Sequence, residues 1–198
     1  MPEKNLSGKT KFSIDIVFDS NVPSKSVPVK TIQKGATPGH KGVAVTDPYW
    51  TCQLIQLHWD ELFDPIAKKI TMSIKELKIK VRFHCVTQYA KEVPKSSPCY
   101  KHIVKHEKLH VASRKSSLNK YKKLTIQYIK EATQKKFGKP LEVKESSAKK
   151  VRDDAYKTIN TAVYEACEKL KSLSDKESKK VDSATENAKT QALCAQFV

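Results

Sequence analysis

From Tyr100 to Ala132 the side chains Tyr100, Ile103, Val104, His110, Val111, Leu118, Tyr121, Leu124, Thr125, Tyr128, Ile129 and Ala132 recur at a spacing of 3.6 residues, with Glu107 in the same stripe. That spacing is one face of an α-helix. Ser97 followed by Pro98 supplies a hydroxyl N-cap and a proline at the first helical position. Gly138 and Pro140 supply the stop. One helix of about 40 residues would be roughly 60 Å long at about 1.5 Å per residue, so a bend or break near Ser116–Ser117 is an expected point of relief.

Upstream of Pro94 the period is two. Phe12, Ile14, Ile16 and Phe18 alternate with polar residues over 11–18, which reads as a half-buried strand. Residues 50–59, 69–75 and 78–89 are further strand candidates. In the last, Ile79, Val81, Phe83 and Cys85 share one face, and Lys80, Arg82 and His84 share the other. Between Asp19 and Pro48, four prolines and three glycines predict a long loop with at most a short strand. Downstream, Val151, Ala155, Ile159, Ala162, Ala166 and Leu170 mark a second helix from about Ser147 to Leu173. Ser183-Ala-Thr-Glu186 reads as a capping box opening a short third helix that carries Cys194. Strands first and helices after give an α+β chain. The expectation is a small antiparallel N-terminal sheet on a long helix that forms a helical hairpin, plus a short C-terminal helix. Residues 1–10 read as a disordered end and 11–198 as one domain, with strands and loops over 11–90 and helices over 97–198.

The chain has 198 residues and a formal charge of +17. The excess lies in one stretch: residues 66–150 hold 23 basic and 6 acidic residues, while 1–65 and 151–198 are each balanced. Such a patch attracts anionic partners. Only Arg82, Arg114 and Arg152 are arginines among the 38 basic residues. Arginine reads phosphate and guanine bidentately, so its scarcity argues against nucleic acid as a partner. No apolar run is long enough for a transmembrane segment, and the first ten residues lack a signal-peptide core. Cys52, Cys85, Cys99, Cys167 and Cys194 form no CxxC pair. Their spacing leaves both disulfides and buried free thiols open.

The stretch that carries chemistry is His106-Glu107-Lys108-Leu109-His110, an HExxH motif inside the predicted long helix. Positions 106 and 110 are one turn apart on one face, so both imidazoles can reach one ion. Zinc suits two neutral imidazoles and an oxygen ligand, and Glu107 is placed to act as general base. Chance would produce the motif about 0.01 times in a chain of this composition. His102 lies one turn earlier on the same face, and Tyr89 and Tyr100 are candidate oxyanion donors whose other reading is aromatic packing. His40 and His58 carry no signal.

With a strand, a short connection and a helix bearing His-Glu-x-x-His, the sequence resembles zincin-type metallopeptidases. More narrowly it resembles a group of uncharacterised, mostly exported bacterial proteins with a zinc-protease motif. The matching residues are Tyr89 to Pro94, Ser97-Pro98-Cys99-Tyr100 and His106 to Val111, with weaker likeness at Trp50–Cys52 and at Val181-Asp182-Ser183 to Cys194. The resemblance implies a zinc hydrolase, a peptidase above all, in the periplasm or outside the cell, the cytoplasm being the alternative compartment; the basic middle third adds acidic polypeptides as a candidate substrate class. It implies disulfides, with Cys194 tying the tail to the rest. It also implies that the strand over 78–89 carries an extended substrate along its edge.

Ser113 and Ser116 stand where a His-Glu-x-x-His-x-x-Gly-x-x-His site needs glycine and histidine, so a carboxylate must complete the metal set. Counting a helical hairpin about a turn at 138–146 places residue 176 opposite 108 and returns the chain to the motif near 175–186. The candidates are Asp175, Glu177, Asp182 and Glu186, with Glu168 lower on the helix. Asp182 is favoured, because the tail resemblance contains it and it directly precedes a new helix. The competing expectations are a non-enzymatic basic binding protein acting through residues 66–150 and an inactive zincin scaffold.

Overall fold

The computed structural model describes residue 6 and residues 9–19, 22–34 and 42–198. Most of the expected disordered end, 1–10, and His40 lie outside the described residues. The elements run β1 (Lys11–Phe18), β2 (Ser24–Val27), α1 (Val29–Lys34), β3 (Ala44–Asp64), β4 (Lys69–Ala90), α2 (Pro98–Phe137), β5 (Leu141–Lys144), α3 (Ala148–Ser178) and α4 (Ala184–Cys194). The mixed helix and sheet composition matches the α+β expectation. No helix among the described residues is long and apolar enough to cross a membrane.

The strands form one five-stranded sheet in which β4 pairs with β1, β2, β3 and β5. β2 is parallel to β4, with Ser24 opposite Thr87 and Val27 opposite Ala90. β1 runs the same way: Lys11 at its start pairs with Glu76 at 3.2 Å, and Asp19 just past its end donates its N–H to Phe83 O. β5 is antiparallel, with Lys69 opposite Lys144. The expected small antiparallel sheet is therefore corrected. Alternation reveals a strand and its buried face, but strand direction depends on the connections, and a parallel pair needs a long crossover. Here α1 and β3 supply it.

The 19–48 loop contains β2, α1 and the start of β3, with Pro48 inside that strand. The separate candidates at 69–75 and 78–89 are one strand, which alternates from Leu77 to Thr87 as expected, with Leu77, Ile79, Val81, Phe83, Cys85 and Thr87 buried. Because that strand is flanked on both edges, it has no free edge for an extended substrate. His84 is packed instead: its ring stacks on Tyr49 at 4.9 Å, and Nδ1 lies 3.4 Å from Asp19.

α2 starts as its sequence dictates: Ser97 Oγ accepts the N–H of Tyr100 at 3.1 Å. It is one helix through Ser116–Ser117 to Phe137, with no break there. Gly138 ends it where a Cβ would stand 2.5 Å from Gln134 O, a contact only glycine avoids. Leu124 and Tyr128 are exposed although they fall in the predicted stripe, and the buried line runs through Thr125, Ile129, Thr133 and Phe137.

The chain divides into two compact units. One comprises Met1–Ile16, Thr51–Arg82 and Tyr121–Leu170. Its buried side chains include Met72, Ile74, Leu77, Ile79 and Val81 from β4, and Ala155, Ile159, Ala162, Ala166 and Leu170 from the predicted seam of α3. The other comprises Val17–Trp50, Phe83–Lys120 and Lys171–Val198. Its core gathers Ile32, Val43, Ala90, Val93, Cys99, Ile103 and Cys194, and Tyr89 and Tyr100 pack against it with ring centroids 5.5 Å apart. The HExxH residues lie in this second unit.

Candidate metal centre

α2 brings His106 and His110 together as the four-residue spacing requires. Their Nε2 atoms are 3.1 Å apart and their rings meet edge to face at 83°. Asp182, 76 residues beyond His106, places one oxygen, Oδ1, at 3.1 Å from His106 Nε2 and at 3.1 Å from His110 Nε2. Three donor atoms thus form a nearly equilateral triangle. A tetrahedral ion with ligands at about 2.0–2.2 Å holds its donor atoms roughly 3.3 Å apart, so the triangle has the size such a site requires.

The tautomers agree with this arrangement. His110 Nδ1 is 2.8 Å from the buried Ser178 Oγ. With the proton on Nδ1 donated to Ser178, the Nε2 lone pair is left facing the triangle. Burial pushes the His110 pKa down, with the Asp182 carboxylate opposing it, and a lowered pKa favours the neutral, metal-binding imidazole.

Glu107 is held apart from the triangle. Its Oε2 accepts the hydroxyl proton of Thr46 at 2.6 Å, and Thr46 Oγ1 lies 3.0 Å from Thr87 Oγ1, tying Glu107 to β3 and β4. One donor atom each from His106, Glu107 and His110 lies within 4.8 Å of the others, so the glutamate borders the same centre. It is buried, and burial raises its pKa against the Thr46 hydrogen bond.

The other third-ligand candidates have different partners. Asp175 pairs with Arg114, and Glu177 pairs with Lys180. Glu186 Oε2 is 3.8 Å from His102 Nε2 and 4.0 Å from His106 Nδ1. Glu168 belongs to the other unit. His102 Nε2 lies 3.0 Å from Thr190 Oγ1.

A pocket of about 450 Å³ lies over the centre, lined on one side by the β3 approach Gly42–Thr46 and on the other by Arg114, Asp175, Ser178 and Lys179. Sequence reasoning missed Thr46, Ser178 and Arg114. Arg114 carried a faint signal, being one of three arginines and one turn beyond His110 on the same face. Its Nη1 donates to Asp175 Oδ1 and its Nη2 to Thr46 O at 3.4 Å, so it joins α2 to the same β3 residue that holds Glu107. No known protein family, curated protein or solved structure matches this chain.

Cys99 and Cys194 form a disulfide across a sequence separation of 95, joining the first turn of α2 to the end of α4. By loop-closure entropy the double substitution Cys99→Ser/Cys194→Ser is expected to cost about 2–5 kcal/mol. Denaturant unfolding reads this directly, and an unchanged midpoint would contradict it.

The free thiols make a separate prediction. Burial pushes Cys85 up to about 11 and Cys167 up to about 12, and raises half-buried Cys52 as well. A raised pKa leaves less thiolate at any given pH, and thiolate is the reactive form. Iodoacetamide at pH 8 is therefore expected to modify the more accessible Cys52 first, and Cys85 and Cys167 only after unfolding. Equal, rapid labelling of all three would overturn this.

Proposed function

We propose that the chain is a zinc-dependent hydrolase of the zincin type, acting on polypeptides with Glu107 as general base. The observation that carries this reading is the 3.1 Å triangle of His106 Nε2, His110 Nε2 and Asp182 Oδ1, with a buried carboxylate beside it. The donor set, two imidazoles and one carboxylate, is the kind zinc takes when a fourth position is kept for chemistry. Zinc bound there supplies a Lewis acid that polarises a carbonyl and acidifies water.

The remaining work falls to the chain itself. Thr46 engages Glu107 Oε2, which leaves Oε1 to take a proton from the attacking water and pass it to the leaving amine. Burial raises the Glu107 pKa towards the working pH, which suits a group that must both accept and return a proton. The strand that meets the substrate is the start of β3 rather than β4. Gly42–Thr46 lines the pocket, and Thr46 O accepts from Arg114, so this edge turns a backbone acceptor towards the site. An extended peptide would add along it by backbone hydrogen bonds. The Cys99–Cys194 disulfide favours an oxidising, exported setting, the periplasm or the cell exterior.

The deciding experiment is metal analysis of the full chain purified without added zinc, paired with hydrolysis of an unstructured protein such as casein by the parent and by Glu107→Gln. About one zinc per chain with activity only in the parent supports the reading. Absence of zinc uptake, or equal activity in both proteins, removes it.

A further inference from the structure

Asp182, Glu186, Thr190 and Cys194 are four residues apart, and each meets α2 at the next turn. Asp182 reaches His106 and His110, Glu186 lies between His106 and His102, Thr190 reaches His102, and Cys194 is bonded to Cys99. The C-terminal segment therefore runs antiparallel along the histidine-bearing face, one contact per turn. Asp182 belongs to the donor triangle and Cys194 to the disulfide. Glu186 belongs to neither.

Two observations single it out. Ser183 opens α4 as an N-cap, its Oγ accepting the N–H of Glu186 at 3.2 Å. The reciprocal half of a capping box would turn the glutamate back onto the Ser183 N–H. That N–H donates to Val181 O at 2.9 Å instead, and the Glu186 carboxylate is turned to the imidazoles. The second observation is an orphan: His106 Nδ1 is buried and has no hydrogen-bond partner. An imidazole that offers its Nε2 lone pair to an ion must carry its proton on Nδ1, and that buried N–H needs an acceptor. The Glu186 oxygen stands 4.0 Å away on a side chain about one-third exposed. A shift of about 1 Å brings it to hydrogen-bonding range.

We propose that Glu186 is a positioning residue of the metal centre: its carboxylate accepts the Nδ1–H of His106, which fixes the tautomer and the orientation of the ring. His102 guards the carboxylate from the other side. Thr190 Oγ1 donates its proton to Glu186 O at 2.9 Å, so it accepts the Nε2–H of His102, and that edge of the ring faces the Glu186 carboxylate. The inference rests on the zinc reading and extends it from three donor atoms to the shell behind them.

The test is zinc affinity, by competition with a chromophoric chelator, for the parent, Glu186→Ala, Glu186→Gln and the control Glu177→Ala. It is joined by ¹⁵N-edited NMR of the His106 ring in the zinc-loaded proteins. Glu186→Ala is expected to weaken zinc binding about 10- to 100-fold, with Glu186→Gln, which keeps an acceptor without the charge, falling between it and the parent. Glu177→Ala should match the parent. The His106 Nδ1–H resonance should be slow to exchange in the parent and broadened away in Glu186→Ala, with circular dichroism unchanged. Parent-like affinity and an unchanged Nδ1–H signal in Glu186→Ala would overturn the assignment while leaving the zinc reading intact. A parent that binds no zinc would overturn both. If Glu186→Ala fails to fold, Glu186→Gln decides by the same two readouts.

Discussion

Replacing His106 or His110 with Ala is expected to abolish zinc binding, and replacing Asp182 with Ala to weaken it by about ten- to a hundredfold or more. Each imidazole supplies one corner of the 3.1 Å triangle, and the neighbouring ring, His102, is engaged by Thr190. Asp182 would supply the negative charge that offsets the ion's positive charge, and it directly precedes the N-cap Ser183 of α4. Glu107 borders the site but is held by Thr46, so it replaces Asp182 poorly. Glu131, which accepts from Gln127 on an exposed face of α2, is the control whose loss should leave binding unchanged. Metal analysis by mass spectrometry reads all four variants. Full zinc retention in both histidine variants would remove the centre.

Glu107→Gln is expected to keep zinc and lose hydrolysis by a factor of about 10²–10⁴. The two side chains have nearly the same shape, and the Thr46 hydroxyl can still donate to the amide oxygen, so the pocket and the triangle should persist. What disappears is a group able to take a proton from water and return it. Rate and zinc content measured on the same preparation separate this from unfolding or metal loss. A variant with zinc and undiminished turnover would mean that Glu107 is structural and that the base lies elsewhere.

Hairpin counting came close to the carboxylate that meets both histidines and shows how such a count drifts. A simple return about residues 138–146 puts Ser174 opposite His110, whereas Ser178 is there and Asp175 faces Arg114. The displacement is about one helical turn. Residues 141–147 are not the plain loop the count assumed: Leu141–Lys144 pairs with β4 and Glu145–Ser147 forms a 3-10 turn before α3 begins. Asp182 still fell within the expected window because that window, 175–186, was twelve residues wide.

Features carried by neighbours in the chain were legible directly. The four-residue spacing of His106 and His110, the Ser97-Pro98 start and Gly138 stop of α2, the Ser183 cap of α4 and the alternating face of β4 each follow from local geometry, and each appears where the residues imply it. Contacts that close over long stretches of chain were not. The parallel direction of β1 and β2, the grip of Thr46 on Glu107 across 61 residues, the Arg114 bridge, the Ser178 support and the choice of Cys194 as partner for Cys99 depend on how the helices and strands register against one another. Local periodicity says which face of an element is buried, but the packing that sets register is a sum over many non-local contacts. A displacement of one turn changes every partner without changing the pattern that predicts the element.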